Sequence, residues 1–202
     1  MTSIDFINDL VFTKDNYTRK GGQFSHCKKL EKVNLSGLTN TNYSQYEGMF
    51  SYCDSLIDVK LENIDSIPHE MFYLCGKLSS VYAPIAESIG LYSFLNCSSL
   101  TEISLPKAKT LVNRGFWQCT KLSSINMPEL TSIGVWGFFS CTALSTVEFP
   151  KVEIISGDKN FRACSNLRKL KFNALSSISG IGPFSNCSKL ELIDMSDNNN
   201  FV

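Results

Sequence analysis

The sequence predicts an α/β right-handed solenoid, with a curved parallel sheet of about nine short strands on one side and short helical turns on the convex side. Its eight cysteines recur at steps of 26, 22, 22, 22, 22, 23 and 23 residues. A Phe stands three residues before each cysteine, and a Leu stands three residues after it. Self-similarity at a fixed period is typical of repeat architectures, in which each unit buries its apolar face against its neighbours.

The unit from Phe94 to Pro106 shows how the strand is predicted. Ile103 and Leu105 alternate with Ser104, which predicts a very short strand with one face inward. Proline lacks the N–H that a parallel ladder needs, so it marks the end of a strand. It follows the predicted strand in four successive units, at Pro84, Pro106, Pro128 and Pro150.

Each strand is followed by a turn, another inward aliphatic residue and a short helical turn. The aliphatic residue stands fourteen positions after the cysteine, at Ile67, Ile89, Leu111, Ile133, Ile155 and Ile178. Phe and Cys then follow at spacing i, i+3, which places both on one face of a helical turn. Ser93, Gly115 and Gly137 precede this Phe, and small residues there allow successive coils to pack closely.

The whole chain, residues 1–202, is predicted to form a single solenoid. Residues 1–23 supply a partial first repeat and an N-terminal cap, 24–196 the eight Cys-containing repeats, and 197–202 a polar tail. Ile7, Leu10 and Phe12 repeat the strand pattern and predict the first strand. Because both caps are thin, two alternatives stay open: a segment of a longer array, or end-to-end self-association.

The repeated pattern, Ala/Gly/Ser-Phe-x-x-Cys-x-x-Leu-x-x-Ile-x-Leu-Pro, resembles the BspA-like leucine-rich repeat family from about residue 4 to residue 196. The resemblance implies a leucine-rich-repeat solenoid, with Pro where better-known leucine-rich repeats carry an Asn ladder. It also implies surface-exposed proteins of host-associated microbes, with adhesion to matrix proteins or to other cells. It implies no catalytic residues.

Composition restricts the partners. The net charge is zero, which argues against nucleic acid and anionic membranes, because both require many uncompensated cations. No apolar run approaches the roughly 18 residues of a membrane span. The N-terminal residues lack the pattern of a signal peptide. The resemblance, and not the composition, leads us to expect the cell surface or secretion. A cytoplasmic location is the alternative.

The cysteines occupy an inward position of the repeat, which favours a ladder of buried thiols. A disulfide ladder is the alternative, although bonding needs a Cβ geometry that identical stacked positions rarely supply. His26 and Cys27 are adjacent, but a nucleophilic pair needs oriented contact and a third group. We expect no enzyme activity, no catalytic residue, no cofactor and no metal.

The predicted function is non-catalytic binding through the concave sheet, by cell-surface adhesion or by recognition of a protein or glycan, host matrix protein included. The alternatives are a structural scaffold segment and an intracellular protein–protein interaction module. Trp117 and Trp136 lie on the opposite side and are expected to pack between coils. The predicted contact residues are the outward strand positions Lys60, Ser80, Tyr82, Glu102, Ser104, Ser124, Asn126, Thr146 and Glu148.

Overall fold

The computed structural model describes residues 3–5, 22–37 and 46–195, which form fifteen short strands and no helix. Nine strands recur once per coil and are paired in parallel in three groups. These strands are β1 (Ser3–Asp5), β2 (Lys32–Asn34), β3 (Asp58–Lys60), β5 (Ser80–Tyr82), β7 (Glu102–Ser104), β9 (Ser124–Asn126), β11 (Thr146–Phe149), β13 (Lys169–Phe172) and β15 (Leu192–Asp194). The groups are β1-β2-β3-β5, β7-β9 and β11-β13-β15.

A second parallel sheet contains the other six strands and raises the total above the nine predicted. They are β4 (Ser66–Ile67), β6 (Ser88–Ile89), β8 (Thr110–Leu111), β10 (Ser132–Ile133), β12 (Ile154–Ile155) and β14 (Ser177–Ile178). The second residue of each strand is the predicted inward aliphatic residue, and it is buried in all but the last strand. A two-residue strand is too short to show a period, so the sequence pattern predicted only the burial.

The predicted short helical turns are wrong, because backbone geometry at two positions interrupts them. From Phe50 onward, the residues two before and two after each Phe have φ between 56° and 62°, or 63° at Gly48. Left-handed residues such as Arg114 and Gln118, on either side of Phe116, cannot continue a right-handed helix. The segments are hydrogen-bonded turns instead, in which the Cys119 N–H donates to the Phe116 carbonyl at 3.2 Å.

The first strand lies earlier than predicted. Ile4 pairs with Val33 in parallel register, flanked by the pairs of Ser3 with Lys32 and Asp5 with Asn34. Ile7, Leu10 and Phe12, predicted for this strand, fall outside the described residues. Residues 4–12 contain several apolar residues that could take the inward position, so periodicity alone could not choose the strand.

The core is built of stacked side-chain columns. The eight Phe rings of the repeats, from Phe24 to Phe184, stack successively with centroids 5.0 to 6.1 Å apart. The Leu three residues after each cysteine is also buried, up to Leu167, while Leu190 in the last coil is half-buried. Each aromatic pair adds about 0.5–1.5 kcal/mol beyond its buried area.

The thiols form a second column, as predicted, and all eight cysteines are free. Each Sγ–H from Cys53 to Cys187 donates to the carbonyl of the Phe in the preceding coil, at 3.0 to 3.2 Å. Burial raises the pKa of the Cys53 thiol to about 12 and holds that of Cys119 well above its usual value. The cysteines therefore serve as small apolar residues that also donate one hydrogen bond between coils.

Candidate binding surfaces

The nine predicted contact residues all lie on the exposed face of β3, β5, β7, β9 and β11. We call this surface the first-sheet face. Each of the nine side chains is exposed, and Tyr82 is 53% exposed, the largest aromatic exposure on this face. Of the intervening residues, Val59, Ile103 and Val147 are buried and Val81 and Ile125 are half-buried, so the period-two alternation separates an outward face from an inward one.

Parallel register brings these residues into rows across the strands. Lys60 stands beside Tyr82, and Ser104 stands beside Asn126. The Asn126 side-chain amide donates to the Ser104 hydroxyl at 2.9 Å. The centre of the first-sheet face is therefore a row of small polar groups next to one large aromatic ring.

Charge on the far end of the sheet is largely paired. Lys169 lies 3.1 Å from Asp194, and Lys171 lies 4.0 Å from Glu148. These ion pairs therefore stabilise this end of the sheet, by a few tenths of a kcal/mol per pair. Within residues 22–37 and 46–195, Lys60 and Glu102 form no ion pair.

A second surface was not predicted. Aromatic side chains follow one another along the turns that carry the Phe column, and we call this row the aromatic band. Ring contacts form two groups, one that begins with His26 on Tyr52, stacked at 4.4 Å, and one that ends with Trp136 on Phe139, stacked at 5.0 Å. The Arg114 guanidinium lies against rings of both groups. The members of the aromatic band are His26, Tyr52, Tyr73, Tyr92, Trp117, Trp136 and Phe139.

Sequence reasoning missed the aromatic band because its members come from three different repeat positions. Tyr92 and Trp136 precede the Phe by two residues, while Tyr73 and Trp117 follow it by one. His26 follows its Phe by two. The positions two before and two after the Phe are themselves left-handed, and this backbone geometry places the residues of all three positions in one row. The sequence signal that could have indicated the aromatic band is the occurrence of aromatic residues at these positions in adjacent repeats.

Cations complete the C-terminal part of the aromatic band. The Arg114 guanidinium carbon lies 5.2 to 5.6 Å from the ring centroids of Tyr92, Trp117 and Trp136. The Lys159 ammonium lies 4.8 Å from the Trp136 centroid. Such contacts contribute about 0.5–2 kcal/mol, depending on how far the cation is desolvated. We call Arg114, Trp117, Trp136, Phe139 and Lys159 the Trp–Arg cluster.

Trp117 and Trp136 pack against each other at 4.8 Å, as expected for rings between coils, yet both are only half-buried. Two buried donors of the Trp–Arg cluster have no hydrogen-bond acceptor: Nε of Arg114 and Nε1 of Trp117. A buried donor left without an acceptor costs about 1–3 kcal/mol. The cluster is therefore packed, and it is short of acceptors.

Catalytic and metal chemistry find no support in the part of the chain that the structure describes. His26 stacks on Tyr52. No group of three or more His, Cys, Asp or Glu residues there is placed to hold a metal ion. Nor does any helix of the described ranges have the length and apolarity to cross a membrane.

These features define a parallel-strand solenoid of the leucine-rich-repeat class. The family model for the BspA type leucine rich repeat region matches six copies, over residues 3–87 and 87–202. The chain belongs to this family, as its repeated pattern predicted. No curated protein matches the sequence.

Solved bacterial structures share the fold. A leucine-rich repeat protein from Bacteroides ovatus is 22% identical with a TM-score of 0.62, over 85% of this chain and 50% of its own. The T. pallidum leucine-rich repeat protein is 24% identical with a TM-score of 0.61, over 80% of this chain and 72% of its own. This chain spans about half the length of the Bacteroides protein.

Proposed function

We propose that this protein is a non-catalytic binding module that recognises a protein or glycan through the first-sheet face, in cell-surface adhesion. The observation that carries the proposal is Tyr82, a half-exposed aromatic ring beside a row of small uncharged residues. Tyr supplies a large, rigid contact area with a polar tip and is enriched at interaction hot spots. The flat polar row beside it supplies hydrogen-bond donors and acceptors without the cost of desolvating charges.

The cell-surface setting rests on the family and on no contact in the structure. The ion pairs of Lys169 and Lys171 favour the structural-scaffold alternative, because they neutralise charges at one end of the face that a ligand would otherwise contact. The free thiols favour the intracellular alternative, because disulfides form and persist in extracellular and other oxidising compartments.

Surface binding to a panel of matrix proteins and glycans tests the proposal. The wild-type protein is compared with a Tyr82→Ala, Lys60→Glu variant. A Thr110→Ala variant, altered on the exposed face of the second sheet, is the matched control. We expect saturable binding that the first variant loses and the control retains.

Binding to no member of the panel by a folded, monodisperse sample would favour the scaffold. Binding that the Tyr82→Ala, Lys60→Glu variant retains would move the contact away from the first-sheet face. Circular dichroism of each variant establishes that the solenoid is intact before either outcome is read.

A further inference from the structure

The Trp–Arg cluster has the composition of an interaction hot spot on a different edge from the first-sheet face. Trp, Tyr and Arg are the residue types most enriched where a few side chains carry most of the binding energy. Here Arg114 lies against Tyr92, Trp117 and Trp136 at once. The rings fix the guanidinium in place, so little further rotamer freedom is lost when a partner binds.

The charge on this edge is uncompensated. Arg114, Lys159 and the neighbouring Arg162 form no ion pair within residues 22–37 and 46–195, whereas seven ion pairs form elsewhere in those ranges. Asp158 is next to Lys159 in sequence, but its carboxylate accepts the Ile181 N–H at 2.8 Å. A ring holds a cation without supplying a hydrogen-bond acceptor, so the guanidinium and ammonium donors still need one.

The buried donors point the same way. Nε of Arg114 and Nε1 of Trp117 have no acceptor, and they belong to adjacent side chains of one cluster. The edges of aromatic rings also carry partial positive charge. Because these two atoms are buried, a partner would reach the guanidinium through its Nη donors. The unpaired positive charge of the cluster favours an anionic acceptor there, and a carboxylate matches the planar guanidinium fork in a bidentate pair.

Other ligand classes fit this cluster less well. Single-stranded nucleic acid stacks its bases on open ring faces and needs a cationic groove along the backbone, but the chain has no net charge. A neutral sugar also needs an open ring face. Trp136 contacts Phe139, Arg114 and Lys159 together, which leaves little of its ring uncovered.

We propose that the Trp–Arg cluster is a second interaction surface, which binds an acidic segment of a protein partner. Carboxylates of the segment pair with Arg114, Lys159 and Arg162, and its apolar side chains lie against the partly exposed rings of Trp117 and Phe139. This surface is independent of the first-sheet face, so either can fail without the other.

Intrinsic fluorescence tests the proposal directly, because both tryptophans of the chain belong to the cluster. The probe is a short peptide of alternating glutamate and leucine, titrated into the full chain at low salt. The same peptide with glutamine in place of glutamate is the control. We expect a saturable change in tryptophan emission with the acidic peptide alone, weakening as salt is added.

The variant Arg114→Gln, Lys159→Gln is expected to bind the acidic peptide about tenfold or more weakly, because it loses charge-assisted hydrogen bonds. The matched control, Lys107→Gln, Lys121→Gln, removes two exposed cations that belong to neither surface and is expected to bind like the wild type. Anisotropy of a labelled peptide reports binding in parallel, since the substitutions alter the tryptophan environment itself.

An unchanged emission, equal binding of the glutamine peptide, or equal losses in the two double variants would overturn the proposal. Binding of a uronic-acid oligosaccharide but not of the peptide would overturn it in favour of an acidic glycan. The Tyr82→Ala variant is expected to bind the acidic peptide normally, so this test and that of the first-sheet face give separate answers.

Discussion

The thiol of Cys119 donates a hydrogen bond to the backbone carbonyl of Phe94 in the preceding coil, at 3.1 Å. The same carbonyl accepts the N–H of Cys97 in its own coil, also at 3.1 Å. One carbonyl thus closes the turn of its own repeat and fastens the next repeat to it. This explains why the position holds a cysteine. An aliphatic residue of similar size would fill the space but could not donate the hydrogen bond to the preceding coil.

Replacing Cys119 with alanine tests the value of that bond. The variant loses the S–H donor and leaves a small cavity, so we expect the free energy of unfolding to fall by about 1–2 kcal/mol. Urea denaturation measures the change. Cys27→Ala, at the half-buried first position, is the control and should cost less. Equal losses at the two positions would contradict a role for the inner ladder.

Alkaline pH should destabilise the folded protein through the same thiols. Burial raises the pKa of Cys97, Cys119 and Cys141 well above the usual 9.0. Above pH 9 the unfolded chain loses thiol protons that the folded chain keeps, so the free energy of unfolding falls as pH rises. Each such thiol contributes at most about 1.4 kcal/mol per pH unit.

Unfolding by urea between pH 7 and pH 10 measures this slope in the wild type and in Cys119→Val. The variant should show a shallower decline above pH 9 and the same behaviour as the wild type near pH 7, apart from a constant offset. Parallel curves over the whole range would show that Cys119 does not contribute to the pH dependence.

The left-handed turns predict an inverted response to glycine. Ala163 has φ of 61°, directly before Cys164, whereas Ala143 lies in the turn that follows Cys141 and has no positive φ. Removing the Cβ at Ala163 relieves about 1 kcal/mol of backbone strain, which offsets the added freedom of the unfolded chain. We expect Ala163→Gly to be neutral or stabilising in thermal unfolding. Ala143→Gly should lower stability by about 0.5–1 kcal/mol, and the opposite order would disprove the strain argument.

Close approach between coils leaves no room for a side chain at Gly134. A Cβ on Gly134 would stand 2.6 Å from the backbone nitrogen of Asn113 in the preceding coil, so the coils would have to separate. We expect Gly134→Ala to lower the free energy of unfolding by about 1–3 kcal/mol. At Gly76 the nearest atom is the Ser98 hydroxyl oxygen at 3.7 Å, and Gly76→Ala should be tolerated. Chemical denaturation of both variants decides the matter.

Sequence periodicity predicted the structural features that depend on one residue type recurring at one position of the repeat. The columns of Phe94, Cys97 and Leu100 are buried where they were expected, and the alternation around Ile103 predicted which strand residues are exposed. Proline marked the strand ends: Pro106 follows β7 by two residues, and Pro150 follows β11 directly.

Features that combine several positions could not be predicted in this way. The second sheet has two residues per strand, too few for a period. Turn geometry depends on left-handed residues such as Arg114 and Trp136, whose side chains do not favour that conformation and so give no sequence signal. The aromatic band could not be predicted without the turn geometry, because that geometry is what places the three contributing repeat positions in one row.

The thiol-to-carbonyl bond also bears on how such proteins change length during evolution. Because every coil offers its neighbour the same carbonyl and the same ring, a duplicated repeat can be inserted without redesign of the repeats around it. The Trp–Arg cluster does not share this freedom, since Arg114, Trp136 and Lys159 come from three consecutive repeats in a fixed order. An insertion there would separate the cations from their rings. Added repeats should therefore be tolerated better near the ends of the solenoid than between residues 114 and 159.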